Sequence, residues 1–257
     1  MNPETKICQN CKQNFVIEPE DFAFYEKIKV PPPTWCPECR MMRRFSWRNE
    51  RTFYRRQCAL TGKKVISGFS PESGVVVYDR DMWWSDKWEA SEFGREYDFS
   101  KPFFQQFKEL FLKVPMPAVF NGLTINCDYT QHTGEMRNGY LVSASWGGEN
   151  IYYASRTHES KDSMDVLMAA NSEFLYECVS ANESFHTFFS QNIDNCTDSY
   201  FLFESKGCSN CFGCTNLRNK NYYIFNEPHT KAEYQRRLKG FDLGSYSKLL
   251  EMKRRFL

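Results

Sequence analysis

A twelve-residue periodicity through the middle of the chain is the feature that most limits its fold. From Tyr140, steps of twelve reach Tyr152, Met164, Tyr176, Phe188, Tyr200, Phe212 and Ile224, all of them large and apolar or aromatic. Two positions earlier, most steps carry Asn138, Asn150, Asp162, His186, Asp198 or Asn210. Four positions earlier, most carry a small residue: Gly148, Ser160, Ser172, Ser184, Cys196 or Cys208. A fixed period with a large, a polar and a small slot is what stacked structural units require. Twelve residues hold one short strand and one turn, with no room for a helix. The spacing therefore predicts a mostly β chain built on a β-solenoid, a right-handed parallel β-helix, over about residues 126–228. Two twelve-residue half-rungs would make each turn, giving four turns. An antiparallel meander at the same spacing is the alternative.

A solenoid leaves two open ends that need cover. Helices flank the repeat on both sides. Ser100 is placed to cap a helix with Pro102 in its first turn, carrying a stripe of Phe103, Phe104, Phe107, Leu110 and Phe111 that is expected to be buried. After the repeat, Thr230-Lys231-Ala232-Glu233 has the form of a capping box, and a second, basic helix is expected around Ser245–Phe256. Between Cys58 and Ser100, Lys64–Ile66 and Val75–Tyr78 read as short strands joined in hairpin style.

The N-terminal segment carries a different signal. Cys8-Gln-Asn-Cys11 and Cys36-Pro-Glu-Cys39 are two C-x2-C knuckles 24 residues apart. Each such turn brings two thiolates onto one ion, and two of them complete the tetrahedron that zinc prefers. Four cysteines leave no open coordination position, so one structural Zn2+ is expected. The chain divides accordingly into a zinc-ribbon or treble-clef-like module with a basic helix, residues 1–60, and a larger part, residues 61–257. Residues 7–44, with these cysteines, Phe15, Phe24-Tyr25, Pro33, Pro37, Arg40 and Arg43-Arg44, resemble the family described as a probable zinc-ribbon domain. That resemblance implies zinc binding through the four cysteines in a module without an assigned activity. Through Arg48-Asn49-Glu50, Trp83-Trp84-Ser85-Asp86 and Cys208-x2-Cys211-Phe212-Gly213-Cys214, the whole chain is similar to uncharacterised zinc-ribbon proteins of candidate-phyla bacteria.

Charge is unevenly spread: net +6 over residues 1–70, −10 over 71–229 and +5 over 230–257. Arg40 to Arg56 lacks Gly and Pro and is expected to be one helix. At 100° per residue, Arg40, Arg44, Arg48, Arg51 and Arg55 share an 80° arc, a row of guanidinium forks suited to phosphates. Trp47 and Tyr54 on its flank could stack on unpaired bases. Nucleic acid, above all RNA, is the expected partner. Docking of this row on the acidic middle of the same chain and a plain solvated face are the competing readings.

Cys196, Cys208, Cys211 and Cys214 invite a second metal, either zinc or an iron–sulfur cluster. The competing reading, that they are stacked core residues, is favoured because Cys196 and Cys208 already occupy the small slot of the repeat. Catalytic signals are weak. Asp79, Asp81 and Asp86 flank Trp83-Trp84, and His132 with Glu135 or His158 with Glu159 could form acid/base pairs, but no nucleophile or phosphate-loop motif joins them. A protein–protein scaffold using the solenoid face and a carbohydrate-active β-helix enzyme are therefore the alternatives to nucleic-acid binding. No apolar run reaches membrane-spanning length and the first residues do not read as a secretory signal, so the expectation is a cytoplasmic protein with no membrane partner.

Overall fold

The computed structural model describes residues 2–46 and 49–256, which form two compact units, Met1–Asn49 and Glu50–Leu257. The first unit pairs β1 (Glu4–Ile7) with β2 (Asn14–Ile17) as an antiparallel hairpin, followed by α1 (Pro19–Lys27) and α2 (Pro37–Phe45). Its core is small: Phe15 and Ile17 with the cysteines, backed by Phe22, Tyr25 and Trp35.

The second unit opens with β3 (Tyr54–Gln57) paired antiparallel to β4 (Lys64–Ser67), so residues 50–60 belong with the larger part and not with the ribbon. The hairpin partner of β4 is therefore β3. β5 (Val77–Tyr78) instead pairs in parallel with β6 (Met116–Pro117), which follows α3 (Arg80–Trp83) and α4 (Phe103–Phe111). Pro102, not Ser100, is the N-cap residue of α4. The Phe stripe of this helix is not buried: Phe103, Phe104 and Phe107 are exposed, while Phe111 packs on Val75, Val77 and Ala118. The reason is polar. Gln106 is the buried residue of α4; it accepts from Asp98 N at 2.8 Å and donates to the Asp98 and Lys101 carbonyls. Those bonds tie the preceding loop to the helix and set which face turns inward.

The solenoid follows as β7 (Thr124–Asp128), β8 (Gln131–Gly134), β9 (Met136–Trp146), β10 (Glu149–His158), β11 (Lys161–Ala170) and β12 (Glu173–Asn182). It continues through β13 (Phe185–Phe188), β14 (Gln191–Asp194), β15 (Thr197–Lys206), β16 (Ser209–Thr215) and β17 (Asn221–Ile224). Pairing is parallel, and Tyr140 lies beside Tyr152, Tyr152 beside Met164 and Met164 beside Tyr176. Each twelve-residue step is thus a complete turn rather than half of one. The turn is twice as tight as the sequence suggested.

Its construction is a three-residue rule. Without interruption from Asn126 to Phe225, every third residue has a positive φ of 44–66°, glycines included. A left-handed residue bends the chain sharply, and four bends in twelve residues close a four-sided turn with sides of roughly 10 Å. From Cys127 to Leu217, the residue after each bend points inward. Four side chains then share one narrow interior, and one of them is larger than the rest in most turns. Leu175 meets Ser172, Cys178 and Ala181; Ile193 meets Ser184, Thr187 and Ser190; Leu202 meets Cys196, Ser199 and Ser205. The large slot at Tyr140, Met164 and their equivalents lies outside, and the small slot lines the core.

Inward serines do more than fit. Ser163 Oγ donates to Lys161 O at 2.7 Å and accepts from Leu175 N at 3.1 Å, one turn on. Ser172, Ser184, Ser190, Ser199 and Ser205 repeat the pair of bonds. Backbone groups that the bends take out of the strand ladder find partners this way, as buried peptide groups must.

The polar slot occupies a column of bends. Asn126, Asn138, Asn150 and Asp162 join side chain to side chain at 2.7–2.8 Å. Asn and Asp tolerate the left-handed region better than other non-glycine residues. Asn150→Val is expected to lower stability by about 1–3 kcal/mol, since a β-branched side chain is strained there and the ladder is cut. Asn150→Gly, which keeps φ +54 accessible, should cost less; urea unfolding of both variants reads the difference.

The C-terminal segment covers part of one side. β18 (Glu227–Pro228) pairs with β17, and α5 (Lys231–Leu238) starts at Thr230, whose hydroxyl accepts from Glu233 N at 3.2 Å. α5 packs Tyr234 against Tyr222 on the last turn. α6 (Tyr246–Phe256) runs against the column of bends at Glu177, Phe189 and Phe201: Phe256 meets Phe201, Lys253 lies over Phe189, and Lys253 pairs with Glu177.

Candidate metal centre

The first hairpin and α2 together build the four-cysteine site. Cys8 N donates to Gln13 O at 2.8 Å and Lys12 N to Cys8 O at 3.0 Å, with Lys12 at φ +63. This tight turn sets Cys8 and Cys11 on one side. Cys36 is the N-cap of α2, Pro37 opens the helix, and Cys39 sits in its first turn, its N–H directed at Cys36 Sγ at 3.5 Å. The Cys39 N–H favours the Cys36 thiolate, yet burial and the Cys39 and Cys8 sulfurs push the Cys36 pKa up on balance. Cys36 N also donates to Cys8 Sγ at 3.2 Å, and Asn10 Nδ2 to Cys39 Sγ at 3.3 Å.

All four sulfurs lie within 4.8 Å of one another, and Cys11 and Cys36 Sγ are 3.8 Å apart. With metal–sulfur bonds of about 2.3 Å, the edge of a tetrahedron of thiolates is about 3.8 Å. The donor set fits an ion. Its electrostatics ask for one. Burial opposes ionisation of Cys8, but N–H groups of Cys36, Cys11 and Asn10 outweigh it and hold its pKa down at about 6. Gln13 N–H favours the Cys11 thiolate, yet burial and the neighbouring sulfurs push this thiol up to about 12. The neighbouring sulfurs thus oppose a second thiolate beside Cys8, a conflict that a bound cation would relieve. Cys8, Cys36 and Cys39 are buried and only Cys11 reaches the surface, so the ion would be enclosed.

Among the described residues, these cysteines form the single group of three or more His, Cys, Asp or Glu donors so gathered. Cys196, Cys208, Cys211 and Cys214 are buried in the solenoid in the positions that serine takes elsewhere. Their thiols donate to the carbonyls of Asp194, Lys206, Ser209 and Phe212, two residues back, at 3.3–3.5 Å. Cys178 stands in the same kind of position, and burial pushes its thiol up to about 11. These are core thiols.

The arginines do not share one helix. α2 ends at Phe45, with Ser46 N closing onto Met42 O at 3.0 Å. Arg40 is half-buried and donates to the Tyr25 hydroxyl at 3.4 Å, whereas Arg44 is exposed on α2. Arg48, like Trp47, lies outside the described residues. Arg51 follows in irregular chain, and Arg55 stands on β3 because residues 54–57 gain a strand partner in 64–67. The candidate acids are also committed elsewhere. Asp79 caps α3 and pairs with Lys63 at 3.3 Å, and Asp81 pairs with Arg80 at 2.8 Å. Trp83 is held by Trp84 and Trp88, and His132 stacks on Phe120.

On the solenoid, the outer aromatic column and the adjoining bends make a face that sequence reasoning did not separate from the core. Its C-terminal turns lie under Phe241 and Phe256. Its N-terminal turns hold an open groove of about 390 Å³, lined by Phe53, Tyr129, Leu141, Tyr153, Asp165 and Leu167 among others. No helix among the described residues is long and apolar enough to cross a membrane.

Fold and site together define a protein with a four-cysteine module that could hold a metal ion, followed by a β-solenoid. No protein-family model matches the chain, and no curated protein matches it.

Proposed function

We propose that this is a zinc-binding scaffold protein, in which the four thiolates hold one Zn2+ and the solenoid presents a docking face to a partner protein. Four soft donors in a closed tetrahedral setting suit zinc, in keeping with the zinc-ribbon resemblance of residues 7–44. One observation supports the docking role above others. The same outer face that binds the chain's own α6 continues, uncovered, over Tyr129, Leu141, Tyr153 and Leu167. On the covered part, apolar α6 side chains meet aromatics and Lys253 pairs with Glu177. One turn earlier, Asp165 occupies the position of Glu177. The chemistry that fits is an amphipathic helix with apolar and basic residues.

A labelled peptide of residues 246–256 serves as the probe. Saturable binding to the full chain is expected, weakened at least tenfold in the Leu141→Glu/Tyr153→Glu variant. Absence of binding, or equal binding to both proteins, rejects the face. Binding of RNA is the rival outcome: salt-dependent retention of labelled RNA that is lost in Arg43→Glu/Arg44→Glu would put the partner at α2 instead.

A further inference from the structure

Residues 54–83 repeat the construction of the metal centre. The first hairpin pairs Glu4 with Ile17 through to Ile7 with Asn14; the second pairs Tyr54 with Ser67 through to Gln57 with Lys64, every residue shifted by 50. The turns agree bond for bond. Cys58 N donates to Lys63 O and Gly62 N to Cys58 O, both at 2.8 Å, as Cys8 N does to Gln13 O and Lys12 N to Cys8 O. Gly62, at φ +72, takes the left-handed place of Lys12.

The returning chain agrees as well. Ala59 N donates to Val77 O at 2.8 Å, where Gln9 N donates to Thr34 O at 3.0 Å. Two residues after each acceptor stands the N-cap of a helix, Asp79 in one case and Cys36 in the other. Cys58 is as deeply buried as Cys8, 1% and 0% exposed. Backbone groups of Leu60, Thr61 and Asp79 act on its sulfur as those of Asn10, Cys11 and Cys36 act on Cys8.

We infer that residues 54–83 are a second copy of the metal-binding module, a latent soft-metal site that keeps Cys58 and has Thr61, Asp79 and Met82 where the first copy has Cys11, Cys36 and Cys39. A generic tight hairpin would explain β3 and β4. It would not explain why a distant segment returns to the same turn residue and starts a helix at the same step.

The native copy does not need an ion. Asp79 accepts from Asp81 N at 3.1 Å and from Lys63 Nζ at 3.3 Å, so an ammonium stands beside the carboxylate where a metal charge would otherwise be required. Thr61 replaces an exposed thiol with an exposed hydroxyl.

The test is to restore the ligands. Full-length Thr61→Cys/Asp79→Cys/Met82→Cys, produced with zinc, should carry two ions per chain against one in the native protein. Cobalt exchange should double the thiolate-to-metal absorption band. A folded triple variant that still binds one ion overturns the inference. Should that variant fail to fold, Asp79→Cys/Met82→Cys offers three thiols, and failure of this protein to take a second cobalt ion overturns the inference equally.

Discussion

Cys36→Ser is expected to abolish metal binding and to unfold residues 2–46, while the unfolding transition of the solenoid stays where it is. The first unit buries few apolar side chains, chiefly Phe15 and Ile17, so an apolar core alone does not hold it. In small modules of this type the ion supplies about 10–16 kcal/mol of apparent binding free energy, and that free energy is folding free energy. Serine keeps the backbone N–H that meets Cys8 Sγ and can itself cap α2, so the variant removes the metal ligand and little else. Metal analysis should fall from one ion to none, and limited proteolysis should then cleave within the first unit. A strong chelator should reproduce both results in the native protein. So should acid: ligand thiols bind metal only when deprotonated, so occupancy is complete at neutral pH and lost as pH falls. A Cys36→Ser protein that retains its ion and its protease resistance would contradict this account of the unit.

The cysteine knuckles and the twelve-residue period were both legible in the sequence because each is a fixed spacing imposed by geometry. What escaped was a shorter period inside the longer one. From Met136 to Leu217, every third residue is small or apolar and none is charged, a run that identifies the inward positions directly. It was masked because residues at the bends include Leu141, Tyr153, Phe189 and Phe201, which have no preference for left-handed backbone. Stacking of successive turns holds them there, and stacking leaves little trace in local propensity. The large slot is more conspicuous than the small one, yet it lies outside.

The arginine helix failed for the opposite reason. Absence of Gly and Pro between Arg40 and Arg56 permits a helix but does not require one, and pairing of Tyr54–Gln57 with Lys64–Ser67 prevailed. The competing signal was present: Cys58-x2-Thr61-Gly62 stands 50 residues after Cys8-x2-Cys11-Lys12. It is hard to see from residue types, since only one of the four ligand positions is still cysteine. Likewise, the Phe stripe of α4 was assigned to a core on hydrophobicity, whereas three hydrogen bonds made by Gln106 fix the orientation of that helix.

The solenoid interior yields the second large effect. Ser199→Leu is expected to destabilise the protein by about 3–9 kcal/mol. Ser199 Oγ donates to Thr197 O at 2.7 Å and accepts from Cys211 N at 3.0 Å, so leucine strands two buried backbone groups. Each costs about 1–3 kcal/mol. Leu202 already fills the same turn with no exposed surface, and a second branched side chain adds about 1–3 kcal/mol of overpacking. Ser199→Cys separates these causes from mere loss of the serine. One turn on, Cys211 occupies the equivalent position and donates to Ser209 O at 3.3 Å, so a thiol can serve there. The cysteine variant should therefore unfold within about 1 kcal/mol of the native protein, since it restores the weaker of two comparable hydrogen bonds. Urea denaturation of both variants tests the rule that one large side chain suffices per turn and that its neighbours must be small and able to hydrogen-bond. Equal stability of the leucine and cysteine proteins would mean that the interior is wider, or its backbone less dependent on these side chains, than the twelve-residue turn requires.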